Sequence, residues 1–154
     1  MISNIQVHEI LKSILNPDNH FIVEVIVRPG NKIFIAVDGF KNITLDECIK
    51  ISREVESRLD REKDDFQLEV SSPGLTEAFK VPEQYKKYEN TDVEVLFKSG
   101  FKTRGKLLKT SANGFDLEVE EEERDEKTRK KKTTVTTQFI EFGELKHTKK
   151  YLKF

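Results

Sequence analysis

Apolar residues recur along the first half of the chain at two spacings, and the switches between them mark out elements. Val7, Ile10, Leu11 and Ile14 repeat at helical spacing, and Asn16-Pro17 stops the helix they define. Residues 21–27 form a dense β-branched run, and Ile33, Ile35 and Val37 alternate in a second one. Arg28-Pro29-Gly30-Asn31 between them reads as a hairpin turn. Thr44 and Glu47 have the spacing of a capping box. The helix they open is predicted to bury Leu45, Cys48, Ile49, Ser52, Val55 and Leu59 on one stripe and to end near Asp60. In the strand that follows, Phe66, Leu68 and Val70 point one way and Gln67, Glu69 and Ser71 the other. That strand stops at Ser72-Pro73-Gly74-Leu75, where Pro73 biases Ser72 toward extended geometry and Pro-Gly fits a type II turn. The order α-β-β-α-β predicts a two-layer α/β domain over residues 1–81, with helices on one small sheet.

Residues 82–90 carry few apolar anchors and read as a linker, with Pro82 suited to a first helical position. Beyond it the period becomes two. Strands are predicted at 93–97, 102–109, 115–120, 133–137 and 151–154, with turns at Ser99-Gly100 and Asn113-Gly114. Short strands at this density in residues 91–154 predict a small β-barrel, because closure removes exposed edges. Gly105 is where such a barrel bends. The fold class is therefore α+β.

Charge adds one distinction. Residues 1–81 carry 14 acidic and 10 basic side chains, whereas residues 82–154 carry 14 acidic and 17 basic ones. The second half is the better candidate for phosphate contact. Lys102, Arg104 and Lys106 alternate with Thr103, Gly105 and Leu107, which on a strand sets three cations on one face. Lys146, Lys149, Lys150 and Lys153 surround Tyr151 and Phe154, a basic terminus with stacking potential. Residues 120–132 hold six acids and six bases. Folded at 125–127, they set Glu120 opposite Lys132, Glu121 opposite Lys131, Glu122 opposite Lys130 and Glu123 opposite Arg129, a self-paired arm. A disordered polyampholyte loop is the competing outcome.

Several chemistries lack support. No window has the length of apolar residues that a membrane span needs, and the N-terminus has no signal-peptide pattern. With one cysteine there is no internal disulfide, and His8, His20 and His147 show no metal-ligand spacing. Cys48 on an apolar stripe reads as a small buried hydrophobe. Ser71 and Ser72 lie in a turn without the Gly-x-Ser-x-Gly elbow of a nucleophile, and no Walker loop is present. Asp46 and Glu47 complement a helix dipole first, and any contact they make with a basic partner comes second. No enzyme, cofactor or metal is expected, and the simplest location is cytoplasmic.

Two motifs together resemble the ribosome maturation factor RimP family: Asp38-Gly39 with Thr44-Leu45-Asp46-Glu47-Cys48, and Leu68-Glu69-Val70-Ser71-Ser72-Pro73-Gly74-Leu75. The resemblance covers nearly the whole chain, though Gly105-Lys106-Leu107 and Ile140-Glu141-Phe142 match less distinctively. Two departures stand out. Thr76-Glu77-Ala78 replaces a family arginine and proline, and Asn42 replaces a glycine. The resemblance implies an α/β domain followed by an SH3-like or Sm-like barrel in a non-enzymatic factor. Such a factor binds the immature small (30S) ribosomal subunit, near its RNA and a basic ribosomal protein; the chain itself is expected to be a monomer. Asp38, Gly39, Asp46, Glu47, Arg53, Glu69, Ser71, Ser72, Pro73 and Gly74 are then expected to meet the protein partner. Lys102, Arg104, Lys106, Lys149 and Lys150 are expected to meet RNA. The competing reading is a free-standing RNA-binding module, KH-like plus Sm-like, although the Gly-x-x-Gly clamp of KH domains is absent.

Overall fold

The computed structural model describes residues 1–152, which divide into two compact units, one spanning Met1–Gly74 and one beginning at Leu75. The first unit runs α1 (Asn4–Ile14), β1 (His20–Arg28), β2 (Lys32–Gly39), α2 (Leu45–Arg58) and β3 (Gln67–Ser71), the predicted order. Ser3 caps α1 by accepting from the Gln6 N–H. The sheet order is β1-β2-β3, antiparallel between β1 and β2 and parallel between β2 and β3. The β1–β2 turn uses left-handed backbone at Gly30 (φ +83°) and Asn31 (φ +53°). Asn31 does more than turn the chain. Its Oδ1 accepts from the Ile2 N–H and its Nδ2 donates to the Asp65 carbonyl, tying the N-terminus and the approach to β3 to the hairpin.

Val7 and Leu11 of α1, Ile51 and Val55 of α2, and Val25, Ile33, Ile35 and Val37 of the sheet form the core, with Leu68 and Val70 packed at its side. Alternation along β3 therefore turns Glu69 and Ser71 onto the sheet face away from the helices, beside Phe34 and Ala36. The stripe of α2 differs from the expected one. Cys48, Ile51, Val55 and Leu59 are buried, whereas Leu45 is 76% and Ile49 42% exposed. Leu45 is the first residue of the helix, and Ile49 stands about 100° round it from Cys48. The type II turn is also corrected. It needs positive φ at Gly74, and among the described residues the positive-φ glycines are Gly30 and Gly100. Residues 72–74 carry no turn and lie beyond the end of β3 at Ser71, and the turn begins at Leu75.

In the second unit, α3 (Pro82–Lys87) precedes β4 (Asp92–Phe97), β5 (Lys102–Thr110), β6 (Gly114–Arg124), β7 (Lys131–Glu141) and β8 (Leu145–Lys150). Residues 82–90, which read as a linker, thus form a helix and a turn, and Tyr85 of α3 is buried in this unit's core. The antiparallel sheet has the order β7-β6-β5-β4-β8. Among the described residues no ladder joins β7 to β8, so the sheet is open where a closed barrel was expected. The reason is in the core. Val93, Val95, Leu107, Phe115, Leu117 and Ile140 occupy one face, and Tyr85, Phe79, Tyr88 and Phe142 pack against them, so that face is covered without closure. Burial pushes the Tyr85 hydroxyl up in pKa, with the Thr148 hydroxyl opposing it. The last strand lies at Leu145–Lys150, earlier than predicted, and residues 153 and 154 of the expected strand lie outside the described residues.

The hairpin of β6 and β7 exists as an arm, but in another register. Its tip spans residues 125–130, and Glu120, Glu121 and Glu122 face Val135, Thr134 and Thr133. Glu123 faces Lys132, and Arg124 faces Lys131. The tip is held by the Asp125 N–H donating to the Lys130 carbonyl and by Arg129 in the left-handed region (φ +53°), which shifts the pairing from the charge-matched alignment.

The core of the second unit makes quantitative predictions. All three tyrosines, Tyr85, Tyr88 and Tyr151, belong to the second unit and the chain has no tryptophan, so tyrosine fluorescence reports on that unit. Phe115→Ala at a fully buried site should lower its urea stability by about 3–5 kcal/mol. Gly105→Ala, whose new Cβ collides with the Glu118 carbonyl and the Leu117 side chain, should cost about 1–3 kcal/mol.

Candidate functional site

A parallel β2–β3 pair requires a crossover, and α2 is that crossover. Because α2 returns from the end of β2 to the start of β3, three segments converge at one end of the first unit. They are the loop after Asp38-Gly39, the N-terminus of α2, and residues 71–74. His20 joins them, since β1 pairs His20 with Gly39. Open α/β sheets place binding sites at this carboxyl end of their parallel strands.

Glu47 organises the rim. Its Oε1 accepts from the Thr44 N–H (3.2 Å) and the Thr44 hydroxyl (3.1 Å), while the Thr44 Oγ1 accepts from the Glu47 N–H (3.1 Å), a complete capping box. Its Oε2 lies 2.6 Å from His20 Nε2, a contact that becomes an ion pair when the imidazole is protonated. The Thr44 backbone and hydroxyl, with His20 adding to them, hold the Glu47 carboxyl below its ordinary value of 4.5. Next to it, Asn42 adopts φ +72° and donates its N–H to the Gly39 carbonyl at 3.0 Å. Asparagine tolerates left-handed backbone, so Asn42 makes this turn without a glycine. A Cβ at Gly39 would strike the Asn42 carbonyl and the His20 ring. A cleft of about 300 Å³ opens here, lined by Asp18, Asn19, His20, Phe40, Asn42 and Glu47.

The expected contact residues have different roles. Asp38 is 4% exposed and accepts from the Gly39 N–H at 2.9 Å, so it shapes the loop from within. Asp46 and Arg53 are exposed seven residues apart on α2, with Leu45 and Ile49 between and beside them. Ser72 and Gly74 are exposed, and Ser71 and Pro73 are half-buried. Glu69 is exposed on the opposite sheet face from α2, so the structure does not bring it to the Asp46–Arg53 surface. Cys48 is buried as expected, and burial pushes its thiol up in pKa.

In the second unit Lys102, Arg104 and Lys106 do share the outer sheet face, and Lys149 joins them from β8. Acids interleave with them. Glu94 lies 3.2 Å from Lys102 Nζ and 3.9 Å from Lys149 Nζ, and Lys106 is paired between Asp92 and Glu118. The Arg104 guanidinium stacks 4.4 Å over the Tyr151 ring. Lys150 is on the other face, 5.6 Å over the Tyr88 ring, and so is separated from its expected companions. Among the described residues no group of three acidic, histidine or cysteine side chains is placed to hold a metal ion, and no helix is long and apolar enough to cross a membrane.

Residues 7–76 match the sequence profile of the RimP N-terminal domain, which covers the whole convergent end just described. Proteins named ribosome maturation factor RimP from two strains of Porphyromonas gingivalis are 36% identical over 119 residues, 77% of this chain and 78% of theirs. The chain belongs to the RimP family. A RimP protein of Flavobacterium psychrophilum is 44% identical over 69 residues, 45% of each chain.

Within this RimP family member, sequence reasoning missed His20, Leu45 and Ile49. The His20–Glu47 contact joins residues 27 positions apart through the β1–β2 pairing, which local spacing does not reveal. Leu45 and Ile49, apolar and four apart at the start of α2, read as part of the buried stripe, and only the structure shows them exposed. Two outcomes check this local chemistry. Thr44→Ala should destabilise the first unit by about 0.5–2 kcal/mol in urea melts followed by helical circular dichroism. Because the folded Glu47 carboxyl is depressed, its contribution is present above 4.5 and disappears as pH falls through the lower folded value. The acid side of the melting-midpoint profile should therefore be shallower in Glu47→Gln than in the parent.

Proposed function

We propose that this chain is an assembly factor that binds the immature small ribosomal subunit and assists its maturation by holding a local arrangement, without covalent chemistry. The observation that carries the reading is the convergence, in a RimP family member, of the Asp38–Gly39 loop, the capped start of α2 and the Ser72-Pro73-Gly74 segment that leaves β3, at one end of a sheet. That end is suited to recognition. Its backbone is fixed by the capping box and the Asn42 turn, and exposed Leu45 and Ile49 supply an apolar centre flanked by Asp46 and Arg53. Exposed apolar side chains grouped together and rimmed by polar residues mark interaction surfaces. A basic ribosomal protein suits the excess of acids in this half of the chain. Lys102, Arg104, Lys106 and Lys149 then add phosphate contacts on ribosomal RNA, with Glu94 and Glu118 limiting their strength. A factor of this kind acts in the cytoplasm, where subunits assemble.

The test is binding to purified immature small subunits by sedimentation. Leu45→Asp combined with Ile49→Asp changes two solvent-facing side chains, so the fold should persist by circular dichroism while particle binding falls by tenfold or more, from about 1–2 kcal/mol lost per anchor. Unchanged binding would overturn the reading. Naked ribosomal RNA bound as tightly as the particle would favour the free-standing module instead.

A further inference from the structure

The strand β7 is an edge. It pairs with β6 through eleven consecutive residues, from Lys131 to Glu141, without a register break, and it has no other neighbour among the described residues. Edge strands ordinarily carry a bulge, a proline or an inward charge that blocks further pairing. This one, Lys-Lys-Thr-Thr-Val-Thr-Thr-Gln-Phe-Ile-Glu, has neither proline nor bulge, and its charges are confined to its ends. Every residue from Lys131 to Phe139 is exposed, and Val135 and Phe139 are each 53% exposed. Alternation relative to buried Ile140 places Lys131, Thr133, Val135, Thr137, Phe139 and Glu141 together on the outer face.

The strand also complements itself when reversed. Laid antiparallel about Thr136, its outer face sets Lys131 against Glu141, Thr133 against Phe139 and Val135 against Thr137, and each pair recurs by symmetry. No like charges meet. The arrangement also relieves a conflict within the chain, where Arg124 faces Lys131 across the hairpin with no acid at that pair. A glutamate from the facing strand supplies that acid. From these observations we propose that the outer edge of β7 joins the same edge of a second copy of this chain, antiparallel about Thr136, making one continuous sheet through a two-fold contact. Like charges directly opposite destabilise strand pairing, so the register about Thr136 is also the one that reversal of a single end charge would break.

Light scattering and sedimentation equilibrium on the full chain decide this. The parent should shift with concentration toward twice 17.9 kDa. Lys131→Glu sets acids together at both ends of the contact and Glu141→Lys sets bases together there, so each variant alone should dimerise about tenfold more weakly or worse. Lys131→Glu also removes the clash with Arg124, so its loss of dimer cannot be assigned to a broken hairpin. Mixing the two variants restores opposite charges at both ends, and the mixed dimer should regain the parent's affinity. A parent that stays monomeric to its solubility limit would overturn the proposal. So would variants that dimerise like the parent, or a mixture no tighter than either variant alone.

Discussion

Parallel pairing between β2 and β3 constrains the first unit more than any other contact in it. Parallel neighbours cannot be joined by a tight turn, so the chain has to travel the length of the sheet between them, and α2 is the shortest apolar-faced way to do so. The return path fixes where α2 begins. Its unsatisfied N–H groups emerge beside the ends of both strands, and Thr44 with Glu47 satisfies them locally. The site is thus a by-product of topology: one helix start and two strand ends have to meet. Glu47 then links this junction sideways to β1 through His20, so cap, loop and edge strand form one hydrogen-bonded unit.

The second unit solves a different problem. A sheet with one apolar face can close on itself or be covered, and here Phe79, Tyr85, Tyr88 and Phe142 cover it, with Tyr85 and Phe142 meeting the Phe115 ring at 5.4 and 6.0 Å. The short helix α3 exists to deliver Tyr85. Gln84 beside it is buried and accepts from the Val81 N–H at 3.1 Å, the glutamine half of a capping box, while Val81 offers no side-chain acceptor to the first turn. Leaving the sheet open keeps the outer edge of β7 unpaired among the described residues, whereas at β8 the Thr148 carbonyl accepts from the Phe79 N–H at 2.7 Å.

Much of this was legible in the sequence, and the failures share a cause. Order and type of the elements in the first unit followed from periodicity, and the cap followed from Thr44 and Glu47. Faces were read less well, because period alone does not say where a helix extends past the sheet it covers; Leu45 belongs to the overhang. Pro73-Gly74 has the residues of a turn, yet Gly74 does not take the positive φ that a type II turn needs, and the turn falls at Leu75 instead. The strand at Leu145–Lys150 escaped notice since Thr148 is its one fully buried side chain, among three lysines and a histidine. Matching opposite charges gave the wrong hairpin alignment for a similar reason. Exposed ion pairs are weak beside a backbone ladder, and the backbone at the tip sets the register.

That ladder has a consequence for how the molecule changes over time. Beyond Val119 the strands of the β6–β7 hairpin leave the apolar core and carry only exposed side chains. Each added residue pair there costs the domain little, since lengthening a terminal loop raises closure entropy only logarithmically. The tip at residues 125–130 can therefore change in length at little cost to the domain, while Phe115, Leu117 and Ile140 hold the root of the hairpin in the core.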